Sequence, residues 1–138
     1  MSFLYSMLLN DCRSACEVVG LDAQLGSLHA VRPGRAALAL DLMEEFRAFV
    51  ADRLAITLVN RGQISPDDCE FRDGGAVNLK SDARKTVVVA YQERKRDEVT
   101  HPLLNRKVAI GLLPILQARF LARTIRGEMQ SYLPFFTR

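Results

Sequence analysis

Apolar residues recur at helical spacing through two long stretches of the first sixty residues. The first stretch runs from Ser2 to Val19, and its apolar positions are Phe3, Leu4, Met7, Leu8, Ala15, Val18 and Val19. Gly20 follows directly and favours a helix end. The second stretch runs from Ala36 to Asn60, with Gly62 just beyond it, and its apolar positions are Leu38, Leu42, Phe46, Phe49, Val50, Leu54 and Leu58. Both stretches predict amphipathic helices, joined by a loop from Leu21 to Gly34.

The middle of the chain carries turn signals. Ser65–Asp68 is typical of a helix start or a turn. Two short runs follow, Cys69–Phe71 and Ala76–Leu79, and they flank Asp73–Gly75. An Asp-Gly pair between two such runs indicates a β-hairpin. We expect this hairpin to contain the only strands.

Two further helices are predicted after the hairpin. Ser81 is expected to be the N-cap of the first, whose shared face contains Val87, Val88 and Tyr91. His101–Pro102 should interrupt the chain, because the residue before a proline is pushed out of helical geometry. The last helix is predicted from Arg106 to Gly127, and Pro114 should kink it or divide it in two.

These elements predict an all-α domain, a multi-helix bundle with one small β-hairpin. The chain has 138 residues, of which 49% are hydrophobic. This length supports one ordinary core and leaves too little for a second. We therefore expect residues 1–138 to form a single helical domain.

The charge is unevenly distributed along the chain. Residues 1–79 hold 7 Lys and Arg against 11 Asp and Glu, a net −4, whereas residues 80–138 hold 12 against 5, a net +7. The basic half is the expected nucleic-acid face. The alternative is that the imbalance serves solubility alone.

Several other classes of protein lack support in the sequence. No apolar run approaches 18 residues, so we expect no membrane span. The three cysteines, Cys12, Cys16 and Cys69, have no metal-type spacing and read as reduced thiols of a cytoplasmic protein. Phosphate-binding loops, nucleophile elbows and dinucleotide-binding glycine patterns are also absent from the sequence.

A candidate metal site lies around the start of the second helix. Asp41 and Glu44 are three residues apart and lie on one flank of that helix, at the border of its apolar stripe. His29 precedes them by a short loop. Carboxylate oxygens suit Mg²⁺ and Mn²⁺, and Mn²⁺ also accepts an imidazole nitrogen. The alternative is that both acids are solvated and the histidine is a surface or capping residue.

Two groups of arginines are candidates for phosphate contact. Arg32 and Arg35 flank Pro33-Gly34, and Arg119, Arg123 and Arg126 form a stripe on the last helix. Both groups also fit solvated surface arginines. Arg94–Arg96 is interleaved with acids, which favours internal ion pairs, and His101 fits a helix cap better than a DNA contact.

The sequence resembles the CRISPR adaptation integrase, CRISPR-associated protein one, in a form closest to type I systems. The segments that carry the resemblance are Leu28-His29, Arg32–Arg35, Leu38–Arg47, Asn60-Arg61, Tyr91-Gln92, His101–Leu104, Gln117–Arg119 and Ile125–Glu128. The match runs through nearly the whole chain and corresponds to the helical C-terminal lobe of the family.

The resemblance implies a metal-dependent DNA endonuclease and integrase that inserts captured foreign DNA into the CRISPR array. It implies that His29, Asp41 and Glu44 bind Mg²⁺ or Mn²⁺ and act in catalysis. The implied partners are protospacer DNA, the CRISPR repeat and CRISPR-associated protein two, with a homodimer in the full-length family. Arg32 and Arg35 would help to seat the phosphate.

One departure from the family pattern limits this implication. The N-terminal β-rich domain has no counterpart here, and the family's glutamate ligand lies upstream of the chain; Glu17 is not that residue. We therefore expect a truncated form or fragment with weak or absent activity. The alternative is a non-enzymatic helical domain, a decayed remnant that binds DNA or a partner.

Overall fold

The structure, a computed structural model, describes residues 2–21, 37–71 and 77–135. The helices in these ranges are α1 Ser2–Val19, α2 Ala37–Phe46, α3 Arg53–Asn60, α4 Ser81–Arg94 and α5 Leu113–Ile125. The strands are β1 Cys69–Phe71, β2 Val77–Leu79, β3 Glu98–His101 and β4 Arg106–Ala109. The predicted loop from Leu21 to Gly34 lies outside the described residues except for Leu21.

Helix α1 has the predicted bounds. It buries Leu4, Leu8, Cys12, Ala15 and Cys16 along one face, whereas Val18, predicted on that face, is 68% exposed. Gly20 ends the helix with φ +88. The amide of Leu21 donates to the carbonyl of Cys16 at 2.8 Å, and the Gly20 amide donates to Glu17 at 3.1 Å. This pair of bonds is the Schellman ending that a glycine makes without strain.

The predicted helix from Ala36 to Asn60 is helical throughout residues 37–60, but it is not regular. A π-helical segment, Arg47–Asp52, separates α2 from α3. A π turn holds one residue more than an α turn, and here three successive residues, Phe49, Val50 and Ala51, are buried. The apolar stripe of α2 therefore continues into α3, where Leu54 and Leu58 are buried.

The first hairpin and α4 follow the prediction with one correction. Strand β1 pairs antiparallel with β2, with Cys69 opposite Leu79. Ser81 is not the N-cap of α4. Lys80 holds that position without a side-chain capping bond, and Ser81 is the first helical residue. Helix α4 buries Val87 and Tyr91, as predicted, together with Ala83, whereas Val88, predicted on the same face, is 36% exposed.

A second hairpin corrects the prediction of one hairpin. Strands β3 and β4 pair antiparallel with His101 opposite Arg106, so the break predicted at His101–Pro102 is a hairpin turn. The last helix begins at Leu113 instead of Arg106, because Pro114 lies in its first turn, where a missing N–H costs no intrahelical bond. The fold is mostly helical with two small antiparallel sheets.

The core lies where α1 packs against α2 and α5. The largest side chains at its centre, all under 2% exposed, are Phe46, Leu8, Leu42, Leu113, Gln117, Cys12 and Cys16. The segment after α5 folds back over this core, and Phe135 is 3% exposed. Its ring lies 5.7 Å from the ring of Phe46 and 6.0 Å from that of Phe49. The C-terminal segment therefore covers the end of α2.

Candidate functional site

Helix α2 carries the two candidate metal ligands that the structure describes. Asp41 is 7% exposed and lies among the buried residues of the helix, whereas the side chain of Glu44 is 43% exposed. The three-residue spacing puts both carboxylates within one turn of each other. Both acids were predicted at the border of the core; Asp41 is instead buried, and Glu44 lies on the exposed side of that border.

Glu44 takes part in a short chain of surface contacts. Its Oε1 accepts a hydrogen bond from Nη1 of Arg47 at 3.2 Å. The guanidinium of Arg47 lies 5.7 Å from the centroid of the Tyr5 ring. The Tyr5 hydroxyl donates to Oδ1 of Asp52 at 2.5 Å, and this bond raises the pKa of Tyr5. Exposed ion pairs contribute little to stability, so the pair with Arg47 holds Glu44 only weakly.

The described residues include two of the three candidate metal ligands. His29 lies outside the described residues, as do Arg32 and Arg35. Within the described ranges, no group of three His, Cys, Asp or Glu side chains is arranged to hold a metal ion. The donor set of Asp41 and Glu44 nevertheless fits a hard divalent cation, which accepts carboxylate oxygens from the protein and retains several water molecules.

The candidate DNA-binding arginines of α5 share one groove. Arg119, Arg123 and Arg126 are exposed and line a groove of about 460 Å³, whose other lining residues are the apolar Val18, Val19, Leu104, Leu116 and Phe120. Glu128 forms an ion pair with Nε of Arg126 at 3.4 Å and with Nε of Arg123 at 3.9 Å. Arg119 makes no ion pair with another described residue. The predicted stripe is confirmed, and DNA contact stays a prediction.

Among the basic residues Arg94–Arg96, Arg94 follows the predicted internal ion pairing. Arg94 pairs with Asp97 at 3.1 Å, three residues along the chain. Lys95 instead reaches Asp11 of α1 at 3.1 Å, and Tyr91 donates to the same Asp11 oxygen at 2.5 Å. Burial raises the pKa of Tyr91 strongly, and the bond to Asp11 adds to this effect. These contacts hold α4 against α1.

His101 is neither a helix cap nor a surface residue. Its side chain is 2% exposed, and its Nδ1 accepts the backbone amides of Leu103 at 3.1 Å and Leu104 at 3.3 Å. It therefore caps the β3–β4 turn. Its Nε2 lies 2.7 Å from Oε1 of Gln117, which is fully buried.

Gln117 connects His101 to Glu45 of α2. Its Nε2 lies within hydrogen-bond distance of three acceptors: Oε1 of Glu45 at 3.1 Å, the Tyr132 hydroxyl at 2.9 Å and the carbonyl of Leu133 at 3.2 Å. Tyr132 donates to Oε2 of Glu45 at 2.6 Å, and the Phe135 amide donates to Oε1 at 2.8 Å. His101 and Gln117 are buried, and Glu45 and Tyr132 are partly buried. We call these four residues the buried network.

The buried network was not anticipated from the sequence. Burial raises the pKa of Glu45, and the hydrogen bonds from Tyr132, Phe135 and Gln117 oppose that rise. Burial also raises the pKa of Tyr132, with a further rise from the charge of Glu45. The available signal was Gln117 itself, a polar residue on the apolar face of α5. A glutamine at such a position needs buried hydrogen-bond partners.

Comparison with known proteins decides the family. The sequence model of the family described as CRISPR associated protein Cas1 matches residues 1–93, the part of the chain that contains α2 and both candidate acids. The chain belongs to the Cas1 family. The resemblance seen in the sequence is thereby confirmed, and the assignment to type I systems stays a prediction.

Relatives of known sequence and structure agree with the Cas1 assignment. A CRISPR-associated endonuclease Cas1 from Moorella thermoacetica is 61% identical over the whole chain, which spans 40% of that relative. A CAS1 protein from Thermotoga maritima has 31% identity and a TM-score of 0.81, covering 91% of this chain and 38% of its own. A casposase bound to its integration product has 26% identity and a TM-score of 0.84, covering 93% of this chain and 35% of its own.

Two further observations concern the length of the chain and its helices. The chain spans about two fifths of the length of the Moorella relative. Within the described residues, no helix combines the length and apolar character that a bilayer crossing requires. The Cas1 family name therefore applies to the chain, and the activity of a complete Cas1 enzyme is a matter for proposal.

Proposed function

We propose that this chain is the helical catalytic lobe of a metal-dependent DNA endonuclease and integrase of the Cas1 family. The complete enzyme inserts captured foreign DNA into a CRISPR array, in a type I-like system. It works as a homodimer with CRISPR-associated protein two and acts on protospacer DNA and the CRISPR repeat. These partners are those that the family resemblance implies.

The observation that carries the proposal is the placement of Asp41 and Glu44 on α2. One carboxylate is almost buried and the other is exposed, one helical turn away. Both lie within the residues that the Cas1 family model matches. A buried acid held by its helix and a neighbouring exposed acid that can adjust are suited to bind a cation at the protein surface, where DNA can approach it.

The residues have separate roles in this proposal. His29, Asp41 and Glu44 hold Mg²⁺ or Mn²⁺. When bound, the cation supplies charge stabilisation to the oxygen atoms on the phosphorus that undergoes in-line displacement. Arg32 and Arg35 contact the phosphate that is attacked and orient it for the 3′-hydroxyl of the incoming DNA. Later in the protein sequence, Arg119, Arg123 and Arg126 bind the DNA backbone.

The casposase bound to an integration product supports an integrase role, since it shares this fold at 26% identity. A further glutamate ligand, implied by the resemblance, is not among the residues of this chain. We therefore propose that the chain of 138 residues binds a cation weakly and has weak or no activity by itself. DNA cleavage in Mg²⁺ or Mn²⁺ that His29→Ala abolishes would contradict this part of the proposal.

Calorimetric titration with Mn²⁺ tests the site directly. We expect the chain to bind one Mn²⁺ and Glu44→Ala to weaken binding at least tenfold, because it removes one of the few protein ligands. Glu17→Ala is the matched control: it removes an exposed acid from α1 and should bind Mn²⁺ as the original chain does.

Two results of that titration would overturn the metal site. In the first, the original chain binds no Mn²⁺. In the second, Glu44→Ala and Glu17→Ala bind equally well. Either result favours the alternative of a non-enzymatic helical domain that binds DNA or a partner.

A further inference from the structure

The buried network joins four separate parts of the fold around a single carboxylate. Glu45 belongs to α2, Gln117 to α5, His101 to the end of β3, and Tyr132 to the C-terminal segment. We propose that this network positions α2, and with it the carboxylates of Asp41 and Glu44, for metal binding. The inference rests on the proposed function and assigns Glu45, Gln117, His101 and Tyr132 as positioning residues.

Each hydrogen bond of the buried network has a fixed donor and a fixed acceptor. Because Nδ1 of His101 accepts two backbone amides, the neutral ring carries its proton on Nε2 and donates it to Oε1 of Gln117. The Gln117 amide then points its two N–H groups at Glu45, Tyr132 and the Leu133 carbonyl. No donor or acceptor can be reversed without leaving a buried group unpaired.

Glu45 is the residue through which the buried network is bonded to α2. Its carboxylate accepts three hydrogen bonds, from Gln117, from the hydroxyl of Tyr132 and from the amide of Phe135. No lysine or arginine among the described residues pairs with it. A partly buried carboxylate held by neutral donors gains little stability over a well-packed apolar residue, so its contribution is better explained by the position it enforces.

Glu45 lies close to both candidate metal ligands on the same helix. Glu45 follows Glu44 directly and lies four residues, about one turn, after Asp41. Apart from Asp41, the other buried residues of α2 are apolar, and their close packing limits rotation about the helix axis. The three directional bonds to Glu45 limit it further. Rotation of α2 would displace both candidate ligands, and cation affinity depends on such outer contacts.

The test removes single hydroxyl groups and measures Mn²⁺ affinity by calorimetry. Tyr132→Phe deletes the bond to Glu45, and Tyr91→Phe is a matched control that deletes a similar buried bond, to Asp11 of α1. We expect Tyr132→Phe to weaken Mn²⁺ binding roughly tenfold. Tyr91→Phe should leave the affinity within twofold, although both variants lose a tyrosine–carboxylate bond and some stability.

A second pair of variants separates position from charge. Glu45→Gln keeps an oxygen for Gln117 and Phe135 and offers an amide to the Tyr132 hydroxyl, so it should retain Mn²⁺ affinity within threefold. Glu45→Leu removes every bond and should lose tenfold or more. Circular dichroism at the titration temperature verifies that each variant is folded.

The outcomes distinguish this inference from the proposed function. If the original chain binds Mn²⁺ through Glu44 but Tyr132→Phe binds it equally well, the positioning role is wrong and the metal site stands. If Tyr91→Phe weakens binding as much as Tyr132→Phe, or Glu45→Gln as much as Glu45→Leu, the positioning role is also wrong. If the original chain binds no Mn²⁺, both fail together.

Discussion

Single residues in this protein take their chemistry from burial. The two thiols on α1, Cys12 and Cys16, are fully buried, whereas Cys69 on β1 is partly exposed. Burial raises the pKa of Cys16 to about 11 and that of Cys12 well above its usual range. The sequence indicated reduced thiols from their number and spacing, and the structure confirms that the described cysteines form no disulfide.

The thiols should therefore react at very different rates. The thiolate is the reactive form of cysteine. At pH 8 the raised pKa keeps Cys12 and Cys16 protonated, and burial keeps reagents away from them. We expect one fast thiol, Cys69, with a disulfide reagent under native conditions, and all three in denaturant. Cys69→Ser should remove the fast phase. Two or more fast thiols in the folded chain would contradict the burial described for α1.

The roles of the acids show how far residue-level prediction extends. Helical periodicity placed Asp41 and Glu44 at the border of the core, because it depends on neighbours within one turn. Periodicity gave no warning about Glu45. Its partners Gln117 and Tyr132 are 72 and 87 positions away, and only the tertiary fold brings them together.

At the scale of elements, the strongest predictions concerned the helices with clear apolar periods. Helix α1 has its predicted bounds, and residues 37–60 are helical as expected. The hairpin β3–β4 was not predicted, because Arg106–Ala109 precedes a strongly helical segment and was assigned to the same helix. The turn before β4 depends on backbone conformation at Asn105, whose φ is +53.

Asn105 provides a test of that turn. Asparagine and glycine tolerate this left-handed conformation, whereas Ala pays a steric penalty. We expect Asn105→Gly to change the free energy of unfolding by less than about 0.5 kcal/mol and Asn105→Ala to lower it by about 1 kcal/mol. Urea denaturation measures both. Equal effects of the two substitutions would contradict the conformation of the turn.

The π-helical segment makes a sharper prediction at the same scale. Deleting the exposed Ala48 removes the one extra residue of a π turn, so α3 should keep its register relative to α2. The variant protein should therefore still unfold cooperatively. Ile56 is 58% exposed and lies within regular α-helix. Its deletion should rotate Leu58 out of the core. That rotation should cost about 2 kcal/mol or more. Thermal unfolding compares the two deletions, and the reverse order of stability would show that the segment does not hold an extra residue.

At the scale of the whole molecule, the C-terminal segment closes the core. The sequence assigned no structure after Gly127, since those residues have no helical period. Phe135 is nevertheless buried against Phe46 and Phe49, and its ring lies 5.6 Å from that of His101. Contacts between residues so far apart in sequence are invisible to local patterns.

Phe135→Ala should therefore be among the most damaging substitutions in the chain. A buried phenylalanine replaced by alanine costs about 3–5 kcal/mol, whereas an exposed residue such as Leu133, at 53%, should cost less than about 0.5 kcal/mol. Chemical denaturation of the two variants measures the difference. A small effect of Phe135→Ala would show that the C-terminal segment does not contribute to the core.

The uneven charge of the molecule gives a test of DNA binding. If the groove on α5 follows a DNA backbone, Arg119→Ala should reduce the slope of log affinity against log salt concentration by about 0.9. Arg84→Ala on α4 is a control with the same change of charge. Glu128→Gln should strengthen binding, because Glu128 competes for Arg123 and Arg126. Fluorescence anisotropy with duplex DNA measures all three, and an unchanged slope for Arg119→Ala would exclude this groove.

The bond from the Phe135 amide to Glu45 spans ninety positions of the chain, and this separation has a consequence for biosynthesis. On the ribosome, α1 and α2 emerge long before their final partner does. Their apolar faces stay partly exposed to water until Tyr132 and Phe135 have also been synthesised. These helices therefore complete their packing only after Phe135 has left the ribosome.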